Sequence, residues 1–219
     1  MICVKVLVVG ANGQIGKHVV SLLQDSDNFD AKAMIRKQEQ VSYFEELGAE
    51  TALVDLEGEI EEIAKAAEGV DAVVFTAGSG GHTGKDKTVM IDLDGAVKTV
   101  EAAKQAGVKR FVMISSFDTR RKAIQEANES FAPYVAAKHY ADEWLKDADL
   151  DYTIIHPGFL TNDEGNKKVT FGMDVEAGKV PREDIARTIV ASLENDSTVG
   201  KEFQVVGGNT PINEAIKSV

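Results

Sequence analysis

The feature that most constrains the fold is an apolar run that leads into a glycine-spaced turn near the start of the chain. Val6 to Val9 form an unbroken apolar run, rich in β-branched residues and too short for a helix, which predicts a buried strand of a parallel sheet. Three glycines follow at intervals of three residues, Gly10, Gly13 and Gly16, and apolar residues then recur at helical spacing. The segment therefore predicts a strand, a tight turn and a helix.

A turn of this kind is suited to hold the pyrophosphate of a dinucleotide. Gly10 can adopt the positive φ of the turn, Gly13 has no Cβ to keep phosphates from the backbone, and Gly16 lets the helix approach the strand. Free N–H groups at the start of the helix face the anion. The GxxGxxG spacing differs from the general GxGxxG fingerprint, and an ordinary strand-to-helix turn is the alternative. The cofactor contacts expected here are Gly10, Asn12, Gly13, Gln14, Ile15 and Gly16.

Size and charge narrow the class of protein. The 219 residues fit one domain (1–219), and the net charge of −12 argues against nucleic acid or an anionic membrane as partner. Cys3 is the only cysteine, which excludes a disulfide within the chain, and we expect it to be a buried residue of the first strand. No apolar run approaches the length of a membrane span, no signal peptide precedes the strand, and the histidines show no metal-ligand spacing. We expect a cytoplasmic monomer or homodimer that acts on a small molecule and holds no metal.

Further along the chain, strands and helices alternate, which predicts an α/β fold with a doubly wound parallel sheet covered on both faces, the Rossmann fold. After a glycine-rich stretch at 76–88, a helix is predicted with Val89, Leu93, Val97 and Val100 on one face. Residues 158–180 are rich in loops, with short strands predicted at 168–172 and 178–180. This small segment is expected to cover the substrate.

The end of the second strand predicts the preferred cofactor. Arg36 lies twenty residues after Gly16, where an acid would bind the ribose 2′-hydroxyl of NAD and an arginine suits the 2′-phosphate of NADP. Asp30 lies too early in the strand to be that acid, so NADP is favoured over NAD, although Arg36 in a solvated loop is the alternative. Further cofactor contacts are expected from the turns that follow later strands: Asp55 and Leu56, Ala77 and Gly78, Ser115, and Pro157. Asp55 as a helix N-cap is nearly as good an interpretation.

Three residues form a candidate catalytic group. Ser115-Ser116 end the fifth strand, and the next helix carries Tyr134 and Lys138, which are four residues apart and share a helix face. A phenol has an ordinary pKa of about 10, and a neighbouring ammonium together with an oxidised nicotinamide favours the phenolate. The pattern predicts Tyr134 as a general acid–base that Lys138 activates, with Ser116 holding the substrate oxygen.

With these motifs, the sequence resembles the short-chain dehydrogenase/reductases, and within them the atypical NAD(P)-binding, NmrA-like branch that includes NAD-dependent epimerase/dehydratase-like proteins. The resemblance covers essentially the whole chain and implies Ser116 as the catalytic serine, Tyr134 as the acid–base and Lys138 as its partner and a ribose contact. The fourth member of the usual tetrad is an asparagine, which is replaced here by Asp92 in the run Asp92-Leu93-Asp94-Gly95. A carboxylate there puts the usual proton relay in doubt.

Three functions stay open from the sequence. The first is an NADP(H)-dependent oxidoreductase or epimerase acting on a small carbonyl or hydroxyl compound, which the retained serine, tyrosine and lysine favour. The second is a non-catalytic NADP-binding sensor, to which Asp92 gives weight. The third is a flavin- or biliverdin-type reductase, which needs no Tyr-x-x-x-Lys pair.

Overall fold

The computed structural model describes residues 3–219, and one long sheet runs through them. The strands are β1 (Val4–Val9), β2 (Phe29–Ile35), β3 (Glu50–Leu53), β4 (Ala72–Phe75), β5 (Arg110–Ile114), β6 (Asp151–Pro157), β7 (Phe159–Thr161), β8 (Lys168–Gly172), β9 (Lys179–Pro181), β10 (Lys201–Gly207) and β11 (Thr210–Pro211). The helices are α1 (Gln14–Gln24), α2 (Val41–Glu46), α3 (Ile60–Ala67), α4 (Lys85–Lys87), α5 (Ala96–Gln105), α6 (Arg121–Glu126), α7 (Ala132–Lys146), α8 (Arg182–Leu193) and α9 (Ile212–Ala215).

The strand order of the main sheet is β11-β8-β10-β6-β5-β4-β1-β2-β3. β1 pairs in parallel with β2 on one side and β4 on the other, and β8 pairs antiparallel with β10. After β3 the chain therefore returns to the opposite side of β1, and this reversal opens a crevice beyond the carboxyl ends of β1 and β4. The predicted doubly wound α/β sheet is confirmed.

Two apolar cores cover the two faces of the sheet, as the pleat of a doubly buried strand requires. In β1 the side chains of Val6 and Val8 pack with α1 and α8, whereas Leu7 and Val9 pack with α3, α5 and α7. This alternation explains why Val6 to Val9 are apolar at every position rather than at every second one. None of the helices within residues 3–219 is long and apolar enough to span a membrane.

The helix predicted after the glycine-rich stretch differs from expectation. Residues Thr88–Gly95 form a π-helix, whose wider turn changes which side chains face the core. Val89, predicted on the buried face, is 50% exposed, while Asp92 is only 2% exposed. The assumption of 3.6 residues per turn was wrong here, and the wider turn carries a carboxylate inward.

The structure also differs from two smaller predictions, which concern Cys3 and the segment 158–180. Cys3 is exposed and precedes β1, so its assignment as a buried strand residue was wrong. The segment 158–180 has more strand than was predicted: β7 and β9 pair with each other, and β8 joins the main sheet. The two short strands expected within it are confirmed.

Candidate cofactor and active site

The glycine turn lies at the crevice between β1 and β4, and close backbone contacts explain two of its glycines. Gly10 has φ +80°, and a Cβ there would lie 2.6 Å from the Cα atom of Ala77. A Cβ on Gly16 would lie 2.4 Å from the carbonyl oxygen of Gly10 and 2.7 Å from that of Ala11. Because these neighbours are backbone atoms, both positions require glycine for the fold itself.

Gly13 differs from the other two glycines. It is exposed, it precedes α1, and an added Cβ would meet only the carbonyl oxygen of Gly10, at 3.1 Å. The first turn of α1 leaves the N–H groups of Gln14, Ile15 and Gly16 without helical acceptors, since the first internal bonds of a helix begin later. This exposed cradle of N–H groups, open where Gly13 lacks a side chain, fits a pyrophosphate.

Arg36 is exposed immediately after β2, near the same turn. β1 and β2 pair Val9 with Met34, so Arg36 follows two residues beyond the level at which β1 ends. None of the ion pairs among residues 3–219 uses its guanidinium, although the adjacent Lys37 pairs with Glu39 at 3.3 Å. The charge of Arg36 is therefore available to a phosphate.

The turn after β3 was predicted to contact the cofactor through Asp55 and Leu56, with Asp55 as a helix N-cap as the alternative, and the structure does not show that cap. Asp55 does not cap α3, whose N-cap residue is Glu59; its Oδ1 accepts a bond from the backbone N–H of Glu57 at 3.0 Å. Leu56 is half-buried and packs so closely on the π-helix that a Cβ on Gly95 would lie 2.7 Å from its Cδ2 atom. The turn is thus fixed beside the crevice, with the Asp55 side chain exposed.

Asp92 holds the loop that follows β4. Its Oδ2 accepts a bond from the backbone N–H of Ser79 at 3.1 Å, and a Cβ on Gly78 would lie 3.2 Å from its Oδ1. Thr76 anchors the same loop to the glycine turn by donating its hydroxyl to the carbonyl oxygen of Val9 at 3.0 Å. Ala77 therefore borders the glycine turn, and Asp92 positions Gly78 and Ser79, while the role of Ala77 and Gly78 as cofactor contacts stays a prediction.

Helix α7 brings Tyr134 and Lys138 to the carboxyl end of β5. Tyr134 lies close enough to Ser116 for the serine hydroxyl to lower the pKa of the phenol, and Lys138, which is 2% exposed, donates from Nζ to the carbonyl oxygen of Ile114 at 2.8 Å. The Lys138 ammonium also lies 5.7 Å from the centre of the Phe75 ring. The three predicted catalytic residues thus occupy one region.

The electrostatics differ from the sequence-based expectation. Burial, with a further contribution from the carboxylate of Asp92, raises the pKa of Tyr134 to about 12, although the Ser116 hydroxyl lowers it. Burial also lowers the pKa of Lys138, while Asp142 and Asp92 oppose that change. In the protein without cofactor, the pKa of the phenol therefore lies above its ordinary value, and the lowering expected from Lys138 is not seen.

Three buried polar residues, Asp142, His156 and Gln204, lie behind Ser116, and two of them, Asp142 and Gln204, were missed from the sequence. Asp142 lies one helical turn after Lys138, and its Oδ2 accepts bonds from the hydroxyls of Ser115 at 2.7 Å and Thr119 at 2.8 Å. His156 and Gln204 contact the backbone between these two residues, at the carbonyl oxygens of Ser116 and Phe117. The four-residue spacing of Tyr134, Lys138 and Asp142 was a usable signal for Asp142, whereas nothing in the sequence placed Gln204 here.

Pro157 ends β6, and the glycine after it allows a close approach of another part of the chain. A Cβ on Gly158 would lie 2.3 Å from the carbonyl oxygen of Gly178, and Phe159 donates its N–H to that oxygen at 2.8 Å. The chain that approaches Gly158 is therefore the covering segment of the protein itself. Pro157 is buried beside β10, paired with Val205.

Two surface depressions lie away from this crevice. One is lined by residues around Gly107 and Leu150, and the other by residues of α8 and α9 such as Val190 and Ile212. Neither includes a residue of the candidate site, so the assignment of the site rests on the topological crevice and its polar residues.

Comparison with known proteins supports the same fold and cofactor class. Residues 10–196 match the protein family described as NAD(P)H-binding. The chain is 49% identical over 215 residues to YhfK, an uncharacterized sugar epimerase of Bacillus subtilis (strain 168), and the match covers 98% of this chain and 100% of the relative.

Two solved structures are similar over nearly their whole length. One, from Bacillus halodurans and described provisionally as an NAD-dependent epimerase/dehydratase, has a TM-score of 0.92 and 39% identity, with 99% of this chain and 100% of that chain covered. The other, the oxidoreductase ylbE from Lactococcus lactis, has a TM-score of 0.88 and 33% identity, with 98% and 96% covered. The Rossmann fold and the resemblance drawn from the sequence are thereby confirmed.

Proposed function

The chain belongs to the NAD(P)H-binding family, and from that premise we propose that it is an NADP(H)-dependent oxidoreductase or epimerase of the atypical short-chain dehydrogenase/reductase type. The substrate is a small carbonyl or hydroxyl compound. The observation that carries the proposal is the meeting of Ser116, Tyr134 and Lys138 at the crevice that also holds the glycine turn. A cofactor-binding domain without chemistry has no need for this group.

The protonation state of Tyr134 suits it to act as the proton donor in the reductive direction of the proposed reaction. With a pKa of about 12, the phenol carries its proton at neutral pH and is ready to donate it to a carbonyl oxygen. Ser116 donates a hydrogen bond to the same oxygen and fixes its position. The reduced nicotinamide, when bound, supplies the hydride for the carbonyl carbon.

Lys138 contributes positive charge at the site. Its ammonium, held by the carbonyl of Ile114, offers further donors to a ribose hydroxyl. The charge of the ammonium stabilises negative charge that develops on the phenol oxygen when the proton leaves.

The preference for NADP(H) over NAD(H) is part of the proposal and is supported by Arg36, which is exposed and makes no ion pair within residues 3–219. A charge-assisted contact between a guanidinium and the 2′-phosphate is worth about 1.5–3 kcal/mol, which corresponds to roughly 10- to 150-fold in affinity. Asp55, Leu56, Ala77, Gly78 and Pro157 line the remainder of the proposed cofactor site.

One observation favours the second candidate, a non-catalytic NADP-binding sensor. Asp92, which stands where the resemblance places an asparagine, binds the N–H of Ser79 instead of leaving its side chain free to order a proton relay. An Asp92→Asn variant separates the two functions. Retained or raised turnover identifies the carboxylate as a substitute for the asparagine in a working enzyme, whereas no turnover by the parent on any carbonyl favours the sensor.

The experiment that tests the proposal is a screen of small aldehydes, ketones and sugar-like carbonyls with NADPH and with NADH, followed by absorbance at 340 nm. We expect turnover of at least one carbonyl with NADPH and weaker activity with NADH. Binding of NADPH without oxidation of it by any member of the panel would contradict the enzymatic proposal and leave cofactor binding intact.

A further inference from the structure

The segment that carries Ser116 is held from behind by buried polar side chains. This segment, residues 115–119, links β5 to the stretch before α6. The carboxylate of Asp142 binds it at both ends, since its Oδ2 accepts from the hydroxyls of Ser115 and Thr119. Asp142 is 1% exposed and reaches the segment from α7.

His156, from β6, binds the middle of the segment. Its Nδ1 lies 2.7 Å from the carbonyl oxygen of Ser116, and its Nε2 lies 3.3 Å from a carboxylate oxygen of Glu202. Because Nδ1 faces a carbonyl oxygen, which only accepts, His156 donates its Nδ1–H to Ser116. Glu202 is bound in turn by Lys146 at 2.8 Å. The pKa of the Glu202 carboxyl is lowered to about 2, and hydrogen bonding to His156 is the largest cause.

Gln204, from β10, supplies the third contact. Its Nε2 donates to the carbonyl oxygen of Phe117 at 2.9 Å, and its Oε1 accepts the N–H of Val175 at 3.1 Å. Val175 lies in the segment 158–180, which is expected to cover the substrate. The same amide therefore joins the Ser116 segment to the covering segment.

We propose that Asp142, His156 and Gln204 act together as positioning residues that hold Ser116 in register with Tyr134. The proposal rests on the proposed function, since it assigns these residues to the same site. We call the three the rear clamp. It consists of side chains from three separate elements that converge on five consecutive residues.

Stability alone does not account for this arrangement. Burying polar and charged side chains costs free energy, and well-packed apolar replacements are often equally stable or more so. The rear clamp also leaves Asp142 Oδ1 buried without a hydrogen-bond partner among residues 3–219. The rear clamp therefore costs stability, and it lies at the edge of the proposed site. This placement suits it to fix the direction of the Ser116 hydroxyl rather than to hold the sheet together.

The closing experiment is a double-mutant cycle between His156 and Ser116, using NADPH and a carbonyl that the parent reduces. His156→Phe removes the donor to the Ser116 carbonyl, and His156→Asn retains an N–H near the position of Nδ1. Thr153→Val is the matched control, because Thr153 is a fully buried residue of the same strand whose hydroxyl donates to the Thr198 carbonyl at 2.7 Å.

The expected result is a loss of kcat of about 10- to 100-fold in His156→Phe, with NADPH affinity unchanged, because small misplacements at a reacting centre cost factors of this size. His156→Asn recovers part of the loss, and Thr153→Val lowers stability but keeps kcat. In a Ser116→Ala background, His156→Phe causes less than about a twofold further change, since residues that act through one group are not additive. Full additivity, or an equal loss in Thr153→Val, would overturn the proposal.

A second measurement separates failure of the rear clamp from failure of the proposed function. Amide hydrogen exchange of residues 115–119 needs no substrate and reports how firmly the segment is held. We expect faster exchange there in His156→Phe than in Thr153→Val. Equal exchange in the two variants overturns the rear clamp even where no carbonyl is turned over, whereas full activity in Tyr134→Phe contradicts the proposed function and leaves the exchange result standing.

Discussion

A comparison of Gly16→Ala with Gly13→Ala tests whether the glycines of the turn have separate roles. The added methyl of Gly16→Ala would lie 2.4 Å from the carbonyl oxygen of Gly10 and 2.8 Å from the Cα atom of Ala11. Both neighbours are backbone atoms of the turn, so the helix must move away from β1. The methyl of Gly13→Ala meets one carbonyl oxygen at 3.1 Å and is otherwise in open space.

The expected magnitudes follow from these contacts. Overpacking against rigid neighbours costs about 1–3 kcal/mol or more, and at Gly16 the higher helix propensity of alanine recovers at most about 1 kcal/mol. We therefore expect Gly16→Ala to lower the free energy of unfolding by about 2 kcal/mol. At Gly13 the cost stays below about 1 kcal/mol, because N-cap exchanges between glycine and alanine are modest.

The assay pairs urea unfolding with NADPH titration by fluorescence. Gly16→Ala should lose both stability and cofactor affinity, whereas Gly13→Ala should stay folded and bind NADPH at least about 10-fold more weakly, and Gly13→Val should not bind it detectably. Normal NADPH binding by Gly13→Val would refute the phosphate site at this turn. Equal stability of Gly16→Ala and the parent would refute the packing argument.

Three further predictions concern the cofactor, the rear clamp and the covering segment. Arg36→Ala should weaken NADPH about 10-fold or more in calorimetry and leave NADH unchanged, and equal affinities of the parent for both cofactors would be contrary evidence. Hydrogen bonding to His156 lowers the pKa of Glu202 in the folded protein to about 2, so its ionised form stabilises the protein above pH about 4.5, and this stabilisation is lost as the pH falls towards 2. Because the side chain is 32% exposed, we expect the free energy of unfolding to fall by only about 1–2 kcal/mol from this group between pH 6 and pH 3, and this part of the fall to be absent in Glu202→Gln. Residues 78–87 and 158–180 should show slower hydrogen exchange with NADPH bound, as lids do, and strong protection in both states would count against closure.

The sequence predicted the fold well because its strongest signals are local. The apolar run before Gly10 and the glycine spacing determine β1, the turn and α1, and the central strands β4 and β5 are likewise short apolar runs. The position of Ser116, Tyr134 and Lys138 followed from the same logic, since the carboxyl ends of parallel strands share an edge.

What the sequence did not predict depends on contacts that are distant along the chain or on unusual helical geometry. The π-helix at Thr88–Gly95 leaves no periodic signal, so the burial of Asp92 was not foreseen, and neither was its bond to Ser79. Gln204 reaches Phe117 across 87 residues of chain, a distance over which pattern analysis carries no information. The raised pKa of Tyr134 likewise depends on burial by the whole fold.

The central claim, that Tyr134 donates the proton to the substrate carbonyl, is tested most directly by Tyr134→Phe. The substitution keeps the ring and its packing at 5.3 Å from the ring of Phe131, and it removes only the hydroxyl. General acid catalysis contributes about 10²–10⁴-fold, so kcat/KM for NADPH-dependent reduction should fall by about that factor, while NADPH affinity and the urea midpoint stay close to those of the parent. Full activity of Tyr134→Phe on a carbonyl that the parent reduces would contradict the account and favour a flavin- or biliverdin-type reductase.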